Sequence, residues 1–304
     1  MPKFSLRTIK SALGKTALAI AALAALTYIG ACLALWKWQH TLIFQPEAII
    51  KVTPDTFGLA YEDVWIQVGN DKSERLHGWW LPAAQTPQGT VLYLHGNGGN
   101  VGANLDQAQV FHELGLNVFI LDYRGYGLSR GREFPHEQQA YEDAVIALNY
   151  LHQERGLDPS EIILFGHSLG GAIAIELATA NPDLAALIIQ SSFTSMRAMV
   201  EYDGIYDQFF PIGLLLHQEF DSITKVPSLE MPLIFTHGGQ DERIPNRMSR
   251  ELYAAANEPK EFYFIPTADH NNISDLGGAE YRQKLATFLQ AARDRRAQLT
   301  QPQP

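Results

Sequence analysis

Short apolar runs, each followed by a longer stretch with helical spacing, set the strongest limit on what this chain can fold into. Residues 90–94, 118–121, 162–165, 187–189, 233–235 and 262–265 are too short for helices and do not alternate apolar with polar side chains. Runs of that kind suit strands covered on both faces, as in a parallel sheet. Helical spacing marks 104–114, 135–156 and 171–180, the second stopped by Gly156 and the third by Asn181-Pro182, and a last helix is expected near 280–293. Ahead of this alternation, 64–68 and 76–81 flank the polar segment Gly69 to Ser73, which suits a hairpin. The pattern predicts an α/β fold with a mostly parallel, doubly wound sheet, and 304 residues that are 46% hydrophobic suffice for one large core. The globular domain is expected over 59–295, behind a connector at 37–58, and the polar segment 296–304 reads as a disordered tail.

The first forty residues follow different rules. They carry Lys3, Arg7, Lys10, Lys15 and Lys37 and no Asp or Glu, so all 33 carboxylates fall in the body. Residues 16–36 hold no charge, and about 20 helical residues cross a bilayer's ~30 Å hydrocarbon layer. Four basic residues precede this span and Lys37 follows it. The positive-inside rule therefore predicts a single-pass anchor with residues 1–15 as a cytoplasmic head and the body on the other side, periplasmic if the source is bacterial. Two other readings stand beside it. One is a cleaved secretory signal; the other is a lipoprotein anchored at Cys32, since Ile29-Gly30-Ala31-Cys32 is similar to a lipobox. An acidic body without a basic stripe disfavours nucleic acid as a partner.

The segment Gly166-His167-Ser168-Leu169-Gly170 has the G-x-S-x-G form of a strand that turns abruptly into a helix with an exposed serine at the bend. Gly127-Leu128-Ser129-Arg130-Gly131 has the same form. Context separates them: Ser168 lies between an apolar run and a helical stretch, whereas Ser129 follows a polar turn with no helix directly after it. Ser168 is the expected nucleophile, with Gly166 and Gly170 forming its elbow. A serine needs a base, and the base needs an acid to orient it. Downstream, Asp241 follows the run 233–235 and His270 follows 262–265, so both fall at the ends of successive strands, where open α/β sheets gather their sites. Glu242 is the alternative acid and His237 the alternative base.

Charge that develops on a substrate carbonyl needs fixed N–H donors. The expected oxyanion hole combines the N–H of Leu169 with that of Asn97, Gly98 being the alternative, in the loop His95-Gly96-Asn97-Gly98-Gly99-Asn100 after the run 90–94. As a dinucleotide loop that segment fails, because G-x-G-x-x-G begun at Gly96 meets Val101. No spacing of Cys or His suits a metal. His112, His136, His152 and His217 read as surface or packing residues. The chain is expected to need no cofactor and no metal.

Taken together, His95 to Asn100, Asp122-Tyr123-Arg124-Gly125-Tyr126-Gly127, Gly166 to Gly171, Asp241 and His270 resemble the membrane-anchored BEM46-like branch of the α/β-hydrolases. The likeness runs over about 42–289 and implies an α/β-hydrolase fold with a small cap near 193–230. It also implies cleavage of an ester or thioester through a Ser-His-Asp triad, with a small acyl ester, a lipid or an acylated protein as substrate. A structural role for Ser129 is implied too, since the family carries a serine after its Asp-Tyr-Arg-Gly segment. A serine peptidase of the same fold and a non-catalytic scaffold remain as alternatives.

Overall fold

The computed structural model describes residues 6–69 and 73–300. Lys3, the hairpin residues 70–72 and the tail residues 301–304 lie outside the described residues. Eight strands form one sheet: β1 (Glu62–Gln67), β2 (Arg75–Leu81), β3 (Thr90–Leu94), β4 (Asn117–Asp122), β5 (Ile162–His167), β6 (Ala186–Gln190), β7 (Leu233–Gly238) and β8 (Lys260–Ile265). Their order across the sheet is β1-β2-β4-β3-β5-β6-β7-β8. β2 runs antiparallel to both its neighbours, and every other pairing is parallel. This is the mostly parallel sheet that the alternating pattern predicts, in the α/β-hydrolase form that the resemblance implies. Strands β3 to β6 are buried along nearly their whole length, which explains why their sequences show no alternation.

Helices cover both faces. On one face α3 (Glu137–Gln153), α4 (Leu169–Thr179) and α9 (Asn246–Ala255) pack on Leu92, Leu164 and Phe235. On the other, α2 (Leu105–Glu113) and α10 (Ile273–Thr300) enclose Tyr93, Phe165 and Ile188. β3 has β4 on one side and β5 on the other, so the chain reverses its direction of travel across the sheet here. At such a switch point the loops after the two strands diverge to opposite faces and leave a crevice.

Between β6 and β7 lies a cap of short helices: α5 (Met196–Asp203), α6 (Tyr206–Phe209), α7 (Ile212–Leu215) and α8 (Ser222–Lys225). The N-terminal helix α1 runs unbroken from Leu6 to Ile43, and its stretch Leu13–Ile43 is long and apolar enough to cross a membrane.

Three expectations need correction. The connector expected from residue 37 is helical through Ile43, after which Gln45-Pro46 pairs with Gly98-Gly99 in a two-residue ladder. The tail expected from residue 296 is still helical to Thr300, because Arg296 donates to the Asp183 carbonyl at 2.8 Å and holds the last turns against the body. The last helix also begins earlier, at Ile273, and is interrupted at Gly278 by a φ of 49°.

The Asp-Tyr-Arg-Gly segment after β4 is a buried polar joint. Arg124 Nε donates to Asp143 Oδ1 at 2.6 Å and its backbone N–H to Asp143 Oδ2 at 2.7 Å, which ties the β4 loop to α3. Arg124 also meets Glu142 at 3.0 Å and Glu74 at 3.6 Å, so removing Asp143 leaves the guanidinium partly paired but takes the acceptor from two buried donors, a loss of about 1–3 kcal/mol. Asp143→Ala should therefore lower unfolding stability by about 2 kcal/mol in urea titration. A change under about 0.5 kcal/mol, typical of a surface substitution, would show that the joint does not carry this load.

Candidate active site

Ser168 joins β5 to α4 with φ 56° and ψ −120°, a conformation in which an L-residue is strained by about 1–3 kcal/mol. The neighbouring glycines are there for space: a Cβ on Gly166 would strike the Gly170 carbonyl, and one on Gly170 the Leu94 carbonyl of β3. The bend is fastened to the next strand, since Ser168 N–H donates to the Gln190 carbonyl at 2.9 Å and Ser192 Oγ donates to the Ser168 carbonyl at 2.9 Å.

Asp241 occupies the turn after β7. Its Oδ1 accepts the N–H groups of Arg243 and Ile244, each at 2.9 Å. Its Oδ2 accepts from His270 Nδ1 at 2.7 Å. An ionised carboxylate only accepts, so the His270 proton sits on Nδ1 and Nε2 is the nitrogen left to act as a base. Burial alone would raise the Asp241 carboxyl, but hydrogen bonds from His237 and His270, with the Ile244 N–H, hold it well below the ordinary carboxylate range. The acid is thus kept as an anion although its side chain is fully enclosed.

The sequence offers His237 as an alternative base, and its surroundings give it other work. His237 Nε2 lies 3.1 Å from Asp241 Oδ2 and 3.0 Å from the Ile244 carbonyl, while Nδ1 meets Ser249 Oγ at 2.7 Å. Both Nε2 neighbours are acceptors, so that nitrogen carries a proton shared between them, and the ring is a second donor to the acid. The alternative acid, Glu242, is exposed. Ser129, the other G-x-S-x-G serine, is buried: its Oγ donates to the Asp122 carbonyl at 2.6 Å and accepts the His77 N–H at 2.8 Å. It closes the β4 loop onto β2.

Asn97 is clamped at the switch point. Its carbonyl accepts from Gln45 N–H at 2.9 Å and Tyr126 Oη at 2.7 Å, and its Nδ2 donates to the Ile43 carbonyl at 3.0 Å. Leu169 opens α4, so its N–H has no acceptor within the helix. Asn97, Leu169, Ser168 and His270 all line one cavity of about 500 Å³. Arg243 and Asp203 bring charge to a wall that is otherwise mainly apolar. A hydroxyl and an imidazole oriented by a carboxylate on one cavity are parts that acyl transfer uses.

Three contributors escape the sequence. His237 reaches the acid only because the turn 238–241 folds back on β7. His167 Nε2 lies 3.0 Å from the His270 carbonyl and so pins the loop that carries His270. Leu35, Gln39, Leu42 and Ile43 of α1 line the cavity, and Gln39, a polar side chain in an apolar helix, is the one signal that pointed to buried partners.

Comparison with known proteins places the chain among the α/β-hydrolases. The serine aminopeptidase S33 family profile matches residues 85–218. An uncharacterized protein of Mycobacterium tuberculosis is 34% identical over 274 residues, covering 90% of this chain and 95% of that protein. Protein bem46 of Schizosaccharomyces pombe is 34% identical, covering 84% and 87% respectively. Among solved structures, the Pyrococcus furiosus esterase Pf2001 superposes with a TM-score of 0.67 at 20% identity, over 81% of this chain and 98% of that one. At that identity the likeness is one of fold.

Burial, together with the nearby His270, pulls the His167 imidazole from its ordinary 6.5 down to about 3. The unfolded chain therefore binds an extra proton between those values, and the stability linked to neutral His167, whole above pH 6.5, is lost progressively as pH falls from there to about 3. His167→Gln keeps an N–H donor for the His270 carbonyl and removes the titration. Its unfolding free energy should fall less steeply than that of the wild type from pH 6.5 toward 3. Superimposable pH profiles in denaturant titrations would count against it.

Proposed function

This chain belongs to the BEM46-like branch of the α/β-hydrolases and is a hydrolase of that superfamily, and on this premise we propose that it is a membrane-anchored serine hydrolase acting on a carboxylic ester or thioester. The observation that carries the proposal is the join of Ser168 and His270 in one largely apolar cavity, with His270 held by an ionised Asp241. His270 Nε2 takes the proton of Ser168 Oγ as that oxygen bonds to the acyl carbon. The oxyanion rests on the N–H groups of Leu169 and Asn97. His270 then protonates the leaving alcohol or thiol, and the acyl group remains on Ser168. Water attacks this ester with His270 again as the base, releasing the acid and restoring the serine.

Residues 16–36 supply the anchor in this reading, with the N-terminus cytoplasmic and the catalytic body on the opposite side. The long apolar helix and the basic residues ahead of it support that orientation. The S33 profile also raises peptide hydrolysis. An aminopeptidase would need carboxylates around the substrate ammonium, whereas among the described residues Asp203 is the only carboxylate on the cavity wall, and Arg243 shares that wall.

A fluorophosphonate probe should label the wild type and Ser129→Ala but not Ser168→Ala; labelling that persists in Ser168→Ala would assign the nucleophile elsewhere. Asp241→Asn, which leaves the imidazole without its anion, should lower turnover of p-nitrophenyl esters by about 10³–10⁴-fold. Hydrolysis of aminoacyl anilides in preference to those esters would favour a peptidase.

A further inference from the structure

The helix proposed to carry the anchor also walls the cavity proposed as the active site. Leu35, Gln39, Leu42 and Ile43 form one wall of the cavity that holds Ser168 and His270. The cap leans on the same helix higher up. Tyr28 Oη donates to the Phe209 carbonyl at 3.0 Å, and its ring stacks on Phe210 with centroids 6.1 Å apart. Nearer the body, Gln39 donates to the Leu215 carbonyl at 2.8 Å and accepts the His217 N–H at 2.9 Å, and Trp36 lies against His217.

These contacts set a depth. Tyr28 precedes Trp36 by eight residues, about 12 Å of helix at 1.5 Å per residue. Where the span ends at Trp36 and Lys37, cap residues that touch Tyr28 lie at or below the headgroups. Their chemistry agrees. No Asp, Glu, Lys or Arg occurs between Asp207 and Glu219. Within and beside that stretch Leu214 is 84% exposed, Phe209 65% and Ile205 60%, and none of the three faces the cavity. Apolar side chains that project outward beside a spanning helix, at interfacial depth, match the apolar face of an interfacial membrane segment.

We propose that the cap segment from Phe209 to Leu214 is embedded in the bilayer beside α1, so that the cavity takes its substrate from the hydrocarbon layer. The substrate class is then a long-chain acyl ester dissolved in the membrane. This rests on the ester-hydrolase reading of Ser168. The cap supplies the buried footing, and the apolar cavity beneath it receives a chain that need never cross water.

The test uses the full chain in phosphatidylcholine–phosphatidylglycerol vesicles. With Cys32→Ser removing the native thiol, an environment-sensitive fluorophore is placed on Leu214→Cys. Phospholipids carrying a nitroxide on the acyl chain should quench it, and aqueous iodide should not. The reverse pattern, which describes a face left free for water or for a protein partner, overturns the proposal. In parallel, Phe209→Asp and Leu214→Asp should cut turnover of vesicle-borne p-nitrophenyl palmitate about tenfold or more and leave water-soluble p-nitrophenyl butyrate within about twofold, in keeping with the loss of a buried apolar side chain. Unchanged palmitate turnover, or equal loss on both esters, also overturns it. A wild type that leaves both esters intact defeats the ester reading itself, and the quenching pattern then decides the insertion alone.

Discussion

The conformation of one residue organises the rest. Ser168 must leave a strand and enter a helix without an intervening loop, and a φ of 56° is the consequence. That bend is tolerable only where the backbones of β3, β5 and α4 come close enough to hold it, which is why side chains are absent at Gly166 and Gly170. The same crowding brings the end of β3 against the elbow, so that the loop with Asn97 lies beside the first turn of α4. Strain at the bend and the presence of N–H groups around it therefore have a single origin in the packing of three elements.

Around this bend the polar groups are arranged so that few are free to reorient. Asp241 receives two backbone N–H groups and two imidazoles, which offset the desolvation of an enclosed carboxylate. His237 is the less expected of the two rings. It adds a donor on the acid's second oxygen and is itself secured by Ser249, so the acid is positioned by β7 and α9 together. His167 performs a related service from the other strand by holding the backbone of the loop that carries His270.

Much of this was legible in the sequence because it is local. Strand ends, the elbow glycines and the order of Ser168, Asp241 and His270 follow from runs of a few residues and from where a parallel sheet places its loops. Ser129 could be set aside on context as the nucleophile, although its bond to the Asp122 carbonyl depends on a turn the pattern does not describe. What stayed hidden depends on chain segments far apart in sequence. Gln39 meets residues 215–218 across some 176 positions, and no periodicity encodes that distance. The helix α9 was missed because its buried face is small and partly polar, with only Met248, Ser249 and Leu252 buried, so the apolar spacing is faint. The extension of α1 to Ile43 was missed because Lys37, Gln39 and His40 resemble an exit from the membrane, while in the fold Gln39 meets the cap and His40 lies against Phe134 of the body.

The continuity of α1 has a mechanical consequence. A flexible tether would let a catalytic body tumble above its membrane, but here the helix passes without a joint into the clamp that fixes Asn97. For a helix that spans a bilayer, tilt adjusts to match hydrocarbon thickness. In this chain such a tilt would rotate the whole body as a lever rotates about its fulcrum. Bilayer thickness would then become a variable of catalysis, read through the angle at which the cavity mouth meets the lipid.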